Sequence, residues 1–520
     1  MKNIIKKYGV LYLVISLFVF SLFFTYEVGK FGWDHFFSDQ FSLVQTILLS
    51  LLLGVPATWL MEKIFDKIPV LSKETKPLSK KVYIGFSCGM LLIWMIQYLT
   101  FFPGGGMGDT INILNDPIGI SLQHPIVYNL LFTYAFRFFH LFLDSTMALG
   151  CVTFIQMILC SIILSFVCYY LERATSSKYP AIILFLIYAL VPIIGNSAMA
   201  LVKDTPFSLM LLLLMINAYH LTQSSDKKYR YTYFLLFVVV SILRNNGIYI
   251  ACATTFVLFF LEKNKKLWMV GSIIAIILSL TPSILVSSTL QKEQLFQEKI
   301  AIPLQQIASV VKYDGNYDSE KEEIEAWIPI EQLKVSYLPT NCDSIKWGPY
   351  LNRDYLQDHK MEFIQTWFHL LPKNFTLYVK AWMAQTGGYW APNTFQPTQS
   401  RFLGLEGPEF LNTEFKTKTL TSHDFVMFYL KTTVFFGCGT CLWIVIFLGL
   451  FAYHKKQYQK LIMLVPVLAL ILTLLISVPV SNLFRYTYIY LYFIPFWFLF
   501  VCFKKENTTS KKKRLHVDKK

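Results

Sequence analysis

The chain has 520 residues, 55% of them hydrophobic, 17% aromatic and only 15% charged, with a mean hydropathy of +0.47. A soluble domain cannot bury that much apolar surface, so the expected fold class is an all-α polytopic membrane protein. The formal net charge of +15 reports membrane orientation and contact with anionic membrane lipids, and nucleic acid is not an expected partner.

Apolar runs of roughly 18 or more residues, the length that crosses a hydrocarbon core about 30 Å thick, fall near 8–25, 41–61, 82–101, 145–171, 179–198, 205–222, 267–289, 425–453, 460–479 and 485–503. Between 232 and 262 the apolar pattern is broken only by Leu243-Arg-Asn-Asn-Gly247, which reads as two short spans joined by a polar tip. About twelve transmembrane helices result. The first run follows Lys2, Lys6 and Lys7 as a signal peptide does, but it lacks a small-residue cleavage site and reads as a retained anchor. Lysine and arginine concentrate at the start, in the 62–81 loop, at 227–230, 263–266 and 455–460, and in the tail from Lys504. The positive-inside rule then places both termini in the cytoplasm.

This pattern divides the chain into an N-terminal transmembrane core (1–289), an external domain (290–424), C-terminal transmembrane helices (425–503) and a basic cytoplasmic tail (504–520). The core carries a first large external loop at 102–144. The external domain, mainly α, is inserted before the last three spans. Its acidic stretch Asp318 to Glu325 reads as a solvated helix face rather than a calcium site. Its tryptophans, at 327, 347, 367, 382 and 390, exceed what a solvent-facing module requires, and are expected to pack on the membrane core or stack on a sugar ring. Nine scattered cysteines give no disulfide framework, and Cys438 and Cys441 read as small packing residues rather than metal ligands.

In the first large loop, His124-Pro125 opens a stretch in which Asn129, Thr133, Arg137, His140 and Asp144 share one helical face. This predicts a helix along the outer membrane surface, its polar stripe turned to a cavity or to water. Upstream lies Phe102-Pro-Gly-Gly-Gly-Met-Gly-Asp-Thr110, a glycine-rich turn that presents Asp109 at a membrane exit. Topology then collects the polar residues at one leaflet: Asp109, His124, Lys203, Asp204, Arg244, Asn245, Arg485 and Tyr486. Charges at membrane depth are costly, and a functional role is their default reading. Gln305 and Gln306, on a helix expected to start after the membrane exit, are candidates for hydrogen bonds to sugar hydroxyls.

Such a set suits sugar transfer from a lipid-linked phosphate donor. The acceptor hydroxyl needs a carboxylate base, here Asp109, and the departing phosphate needs fixed cations, here Arg485, Arg244 or Lys203. The isoprenoid chain of the donor stays in the bilayer. Phe102-Pro-Gly with Asp109, His124-Pro125, Lys203-Asp204, Leu243-Arg-Asn-Asn-Gly247, Ile302-Pro-Leu-Gln-Gln-Ile307 and Arg485-Tyr486 together resemble an uncharacterised bacterial multi-pass family grouped with the GT-C superfamily of integral-membrane glycosyltransferases. The resemblance implies an inverting glycosyltransferase of the bacterial cell membrane, with Asp109 matching the loop aspartate and Arg485-Tyr486 the late basic-aromatic pair. It implies a polyprenyl-phosphate sugar lipid as donor and a cell-envelope glycan or lipid as acceptor. The chain lacks the paired acidic motif of protein mannosyltransferases and the Trp-Trp-Asp of oligosaccharyltransferases, which puts protein as acceptor in doubt.

Two other classes fit parts of the pattern. A lipid-linked polysaccharide polymerase or ligase would use outer arginines on a lipid pyrophosphate without needing Asp109. A secondary transporter would show inverted repeats and charges near the bilayer midplane, and neither is visible. No cofactor is certain. Asp109 and Asp204 leave room for a divalent cation shared with a phosphate, but no acidic cluster has convincing ligand spacing, and no metal ligand is assigned.

Overall fold

The computed structural model describes residues 2–105, 110, 113–114, 124–224, 226–290, 295–392 and 437–504. Among these residues there are helices and isolated bridges and no strand. In chain order the first part comprises α1 (Lys2–Phe37), α2 (Leu43–Lys67), α3 (Lys80–Thr100), α4 (Ile126–His140), α5 (Ser145–Thr175), α6 (Lys178–Leu190), α7 (Pro192–Met199), α8 (Asp204–Gln223), α9 (Lys227–Leu243), α10 (Gly247–Leu261) and α11 (Lys265–Leu290). A polar helical unit follows, with α12 (Ala301–Lys312), α13 (Lys321–Trp327), α14 (Ile330–Ser336), α15 (Asp343–Lys346), α16 (Arg353–Asp358), α17 (Lys360–Lys373) and α18 (Phe375–Trp390). The chain returns through α19 (Cys438–His454), α20 (Leu464–Ser477) and α21 (Ile489–Cys502).

Among the described residues, eight helices are long and apolar enough to cross a membrane: Gly9–Phe37, Leu43–Lys67, Lys80–Thr100, Ser145–Thr175, Asp204–Gln223, Lys265–Thr289, Tyr458–Ser477 and Phe484–Cys502. The pair α6 and α7 makes a ninth, bent by 65°. Pro192 stands at the start of α7, where its missing N–H interrupts the ladder. The protein is an all-α polytopic membrane protein. Each of the twelve expected spans has a helix at its position, but α9, α10 and α19 have only 15 to 17 residues, about 23 to 26 Å at 1.5 Å per residue. Lipid contact explains side chains such as Leu52, Ile84, Leu92 and Ile277, which are large, apolar and exposed.

Two apolar cores organise the molecule. One fills the space among the spans, around Trp94, Leu164, Tyr188, Leu212, Phe237 and Trp497. The other lies in the polar unit, around Leu304, Trp327, Phe363 and Tyr378, and takes in Phe24, Val28, Phe36 and Phe37 of α1. The helical stretch therefore continues well past the apolar window at 8–25, kinked at Gly32 (φ +83°), because its distal part has apolar partners in the polar unit. Buried Lys380 on α18 ties the two together by donating to the carbonyls of Phe37 and Ser38.

The α4 helix begins after Pro125, as its sequence predicts. Leu131, Tyr134 and Phe138 are exposed, whereas Asn129 and Thr133 are buried against the protein, so this part of the polar stripe faces neither water nor lipid. Asp144 does not continue the stripe. Its carboxylate accepts from the Met147 N–H at 2.9 Å and caps α5, satisfying a donor that the first turn of a helix leaves open. All nine cysteines are free, and the Cys438 sulfur accepts from the Thr487 hydroxyl inside the core, a packing role.

The polar unit grips the segment between α20 and α21. Trp382 Nε1 donates to the Leu475 carbonyl, Gln385 Nε2 to that of Val478, and the Gly388 N–H to Ser481 Oγ, each at 2.8 Å. Cys342 N–H donates to the Pro479 carbonyl and Ser481 N–H to that of Thr340, again at 2.8 Å. Gly388 permits this approach, since a Cβ there would lie 2.3 Å from the backbone nitrogen of Asn482. Gly388→Ala should therefore lower the thermal unfolding midpoint of the purified protein, by the roughly 1–3 kcal/mol typical of overpacking. Gly85→Ala, where a Cβ meets nothing within 4 Å, should leave the midpoint unchanged or higher. Equal behaviour of the two variants would refute the contact.

Candidate functional site

The described members of the polar set collected from sequence lie at one end of the spans. Lys203 and Asp204 stand at the start of α8, Arg244 and Asn245 at the tip between α9 and α10, and Arg485 and Tyr486 before α21. The tip is tight: Gly247 N–H donates to the Arg244 carbonyl at 2.8 Å, and a Cβ on Gly247 would lie 2.2 Å from the Val240 carbonyl oxygen. Glycine is required there by space.

His124, Lys203, Arg244, Asn245, Arg485 and Tyr486 line one cavity of about 270 Å³. Glu298, Asp343, Lys346 and Trp347 of the polar unit line it as well. Its size is near the lower limit of small-molecule sites, which run roughly 300–1,000 Å³, and suits a headgroup rather than a whole lipid. A second cavity of about 320 Å³ shares His124 and Asn245 and is faced by Ser279, Ser283 and Ser287 of α11.

Asp204 and Arg244 form the innermost layer. Arg244 Nη1 lies 3.1 Å from Asp204 Oδ1, with the aspartate side chain fully buried and that of the arginine 8% exposed. The same Nη1 donates to the Tyr486 carbonyl at 3.0 Å, and the guanidinium lies 5.3 Å from the Phe207 ring centre and 4.9 Å from that of Tyr486. Asp204 also stands in the first turn of α8, where the helix dipole favours an acid. The sequence counts Asp204 among the binding residues; in the structure it pairs with Arg244 and is not among the residues lining the cavity, so it positions the guanidinium. Lys203 Nζ reaches His124 Nδ1 at 3.1 Å.

Lys346 is the contribution that sequence reasoning missed. Its ammonium is buried and lies 3.1 Å from Glu298 and 3.1 Å from Asp343. Burial works against its charge, but the two carboxylates outweigh burial and raise its pKa above the ordinary lysine value. The charge is then present throughout the neutral range, and any stability it confers is lost only as pH rises through that raised value. Nothing in the local sequence marks Lys346, because both the cavity and the pairing with Glu298 arise from long-range packing. Of the five tryptophans in the polar unit, Trp347 reaches this cavity and is partly exposed. Trp327 is core, and Trp382 holds the Leu475 carbonyl.

The structure does not bring Gln305 and Gln306 to the cavity. Gln305 Nε2 donates to the Leu338 carbonyl and Gln306 Nε2 to that of Tyr378, while Gln306 Oε1 accepts from Trp367 Nε1. Both amides are buried, with partners inside the polar unit, and neither is among the residues lining the cavity. Asp109 lies outside the described residues. Its described neighbours in the chain are anchored beside Lys203-Asp204: Gly105 N–H donates to the Met199 carbonyl at 3.2 Å, Leu201 N–H to that of Gly105 at 2.8 Å, and the Thr110 hydroxyl to that of Leu201 at 2.8 Å. Gly104 sits at φ +136°, and a Cβ there would lie 2.6 Å from Thr153 Oγ1, so glycine is required on both counts. Among the described residues no group of three or more His, Cys, Asp or Glu side chains is placed to hold a metal ion.

Residues 115–515 match the model of a family of unknown function, DUF6020. That stretch is most of the chain, and the protein belongs to this family. Searches of the curated proteins and of the solved structures return no match.

The buried pair makes a stability prediction. Asp204→Asn leaves the Arg244 charge desolvated without its counter-ion, which typically costs about 3–5 kcal/mol. A clear drop in unfolding midpoint is expected. Replacing both partners with apolar residues, Asp204→Leu with Arg244→Met, should cost less than the single change, and a double variant worse than the single one would contradict the pairing.

Proposed function

We propose that the protein is a membrane glycosyltransferase of the GT-C type, which moves a sugar from a polyprenyl-phosphate donor to a glycan or lipid acceptor of the bacterial cell envelope. In this reading the cavity opens at the outer face of the cell membrane and both termini lie in the cytoplasm. The observation that carries the reading is the meeting of Lys203, Arg244, Arg485 and His124, from segments far apart in sequence, in one cavity at the ends of the spans. A cavity whose described lining includes the cations Lys203, Arg244, Lys346 and Arg485, two carboxylates and the rings of Trp347 and Tyr486 suits a phosphate next to a sugar. The arginine forks match phosphate oxygens, and Trp347 offers a face for a sugar ring.

The proposed step is a single displacement. Asp109 takes the proton of the acceptor hydroxyl, whose oxygen attacks the anomeric carbon from the face opposite the phosphate. The bond from that carbon to the phosphate oxygen breaks, its electron pair leaves on the phosphate, and configuration inverts. Arg485 and Lys203 stabilise the charge that grows on the phosphate, and Arg244 is held for the same task by Asp204.

Release of polyprenyl phosphate from polyprenyl-phosphate sugars, measured with the purified protein in liposomes, tests this. Asp109→Asn should lower the rate by about 10²- to 10⁴-fold with folded yield and donor binding unchanged, the usual effect of removing a general base. Parental turnover by that variant would remove Asp109 from the mechanism and favour a polymerase or ligase. Arg485→Lys keeps the charge but loses the fork, so it should weaken both donor binding and turnover. An unaltered Arg485→Lys enzyme would leave Arg485 as an interfacial anchor only.

A further inference from the structure

A larger cavity, of about 790 Å³, lies at the opposite end of the spans, between the last turns of α5 and α8 and the first turns of α9. No residue assigned above lines it. Its described lining includes Arg173 and Lys228, both exposed at its mouth, and no carboxylate. Its walls are aromatic and apolar, with His220 stacked on Tyr229 at 4.6 Å between ring centres. Two polar groups on the wall are more than nine-tenths buried and have no hydrogen-bond partner among the described residues: the Tyr170 hydroxyl and the Asn217 side-chain oxygen. Buried polar atoms left in this way are uncommon in native structures and call for an explanation such as a bound group.

The lining is ordered by depth. Arg173 and Lys228 stand at helix ends. Tyr170 and Asn217 lie about 8 and 9 Å inside the ends of α5 and α8, and Leu213 about 15 Å inside, at 1.5 Å per residue. Phe166 and Leu236 continue the apolar wall. Cations at the surface, polar groups below them and hydrocarbon beneath follow the order of phosphate, glycerol ester and acyl chain in a phospholipid. We propose that this cavity is a binding site for one anionic phospholipid of the leaflet opposite the candidate active site. Arg173 and Lys228 hold its phosphate, the Tyr170 hydroxyl donates to an ester carbonyl, and an acyl chain runs along Phe166, Leu213 and Leu236. The proposal is independent of sugar transfer, since it concerns other residues at the other membrane face.

Native mass spectrometry of the full-length protein in detergent tests the site, with phosphatidylglycerol and phosphatidylcholine of identical acyl chains as probes. One phosphatidylglycerol per chain should be retained in preference to phosphatidylcholine. Each surface cation contributes roughly 1 kcal/mol to anionic lipid binding, so Arg173→Gln should reduce retention about fivefold, and Arg173→Gln with Lys228→Gln about 30-fold. Both positions are exposed, so these variants should stay folded and monodisperse, as size-exclusion chromatography would register. Lys265→Gln with Lys266→Gln, which removes two cations at the same membrane face outside the cavity, should leave retention unchanged. Equal retention of the two lipids, undiminished phosphatidylglycerol on the Arg173/Lys228 variant, or an equal loss in the Lys265/Lys266 control would each overturn the proposal.

Discussion

A carboxylate fully buried at the end of a membrane-spanning helix is tolerable only with a partner, and Asp204 has one in Arg244. The pair joins the start of α8 to the tip between α9 and α10. Because Arg244 also donates to the Tyr486 carbonyl, the last span is fixed to the same point. Three segments distant in sequence are thus held by one guanidinium, and the rings of Phe207 and Tyr486 keep its charge out of water. The geometry of the cavity follows from this arrangement. A fork held on its inner side by Asp204 has a restricted set of directions for its remaining donors, and a pre-oriented cation loses little entropy on meeting an anion.

The polar unit is part of this arrangement rather than an appendage. Backbone groups from the Val478 carbonyl to the Leu483 N–H precede Arg485 without regular helical partners, and buried orphans of that kind are costly. They are answered by Gln385, Thr340, Cys342 and the Tyr389 hydroxyl, which donates to the Val480 carbonyl and accepts from the Leu483 N–H. The direction in which Arg485 leaves the chain is therefore set by the polar unit, which also contributes Lys346 and Trp347 to the wall. Loss of packing in either core would be felt at the cavity.

Sequence pattern made the helices and the gathering of charges legible, and it did so for physical reasons. Hydrocarbon thickness fixes the length of a span, and the cost of a buried charge singles out Lys203, Asp204, Arg244 and Arg485. Pro125 marked the start of α4 because its ring suits the beginning of a helix. Pairing was not legible. Lys203 is adjacent to Asp204 in sequence, yet successive residues at the start of a helix point different ways, and the carboxylate turns inward to Arg244. Gln305 and Gln306 read as sugar ligands because amides on an otherwise apolar helix suggest a binding face, whereas in the structure they satisfy the carbonyls of Leu338 and of Tyr378 on α18. The reach of α1 to Phe37 was hidden as well, since its distal half draws stability from aromatic partners in the polar unit, beyond the range of a hydropathy window.

The distribution of polarity along α8 bears on what kind of machine the protein can be. Asp204 begins this helix at one membrane face and His220 to Gln223 end it at the other, while the turns between contain Leu209, Leu211, Leu212, Leu214 and Met215, all buried in the apolar core. A transporter that carries a polar solute across the bilayer needs polar or broken-helix surface at mid-depth. Along α8 the polar groups instead divide between the two ends, with some 30 Å of helix, at 1.5 Å per residue, from end to end. Chemistry confined to one interface has no need of a polar path through that middle. A packed apolar centre also serves such chemistry, because it keeps the helix ends, and with them the cations of the cavity, in fixed relative positions.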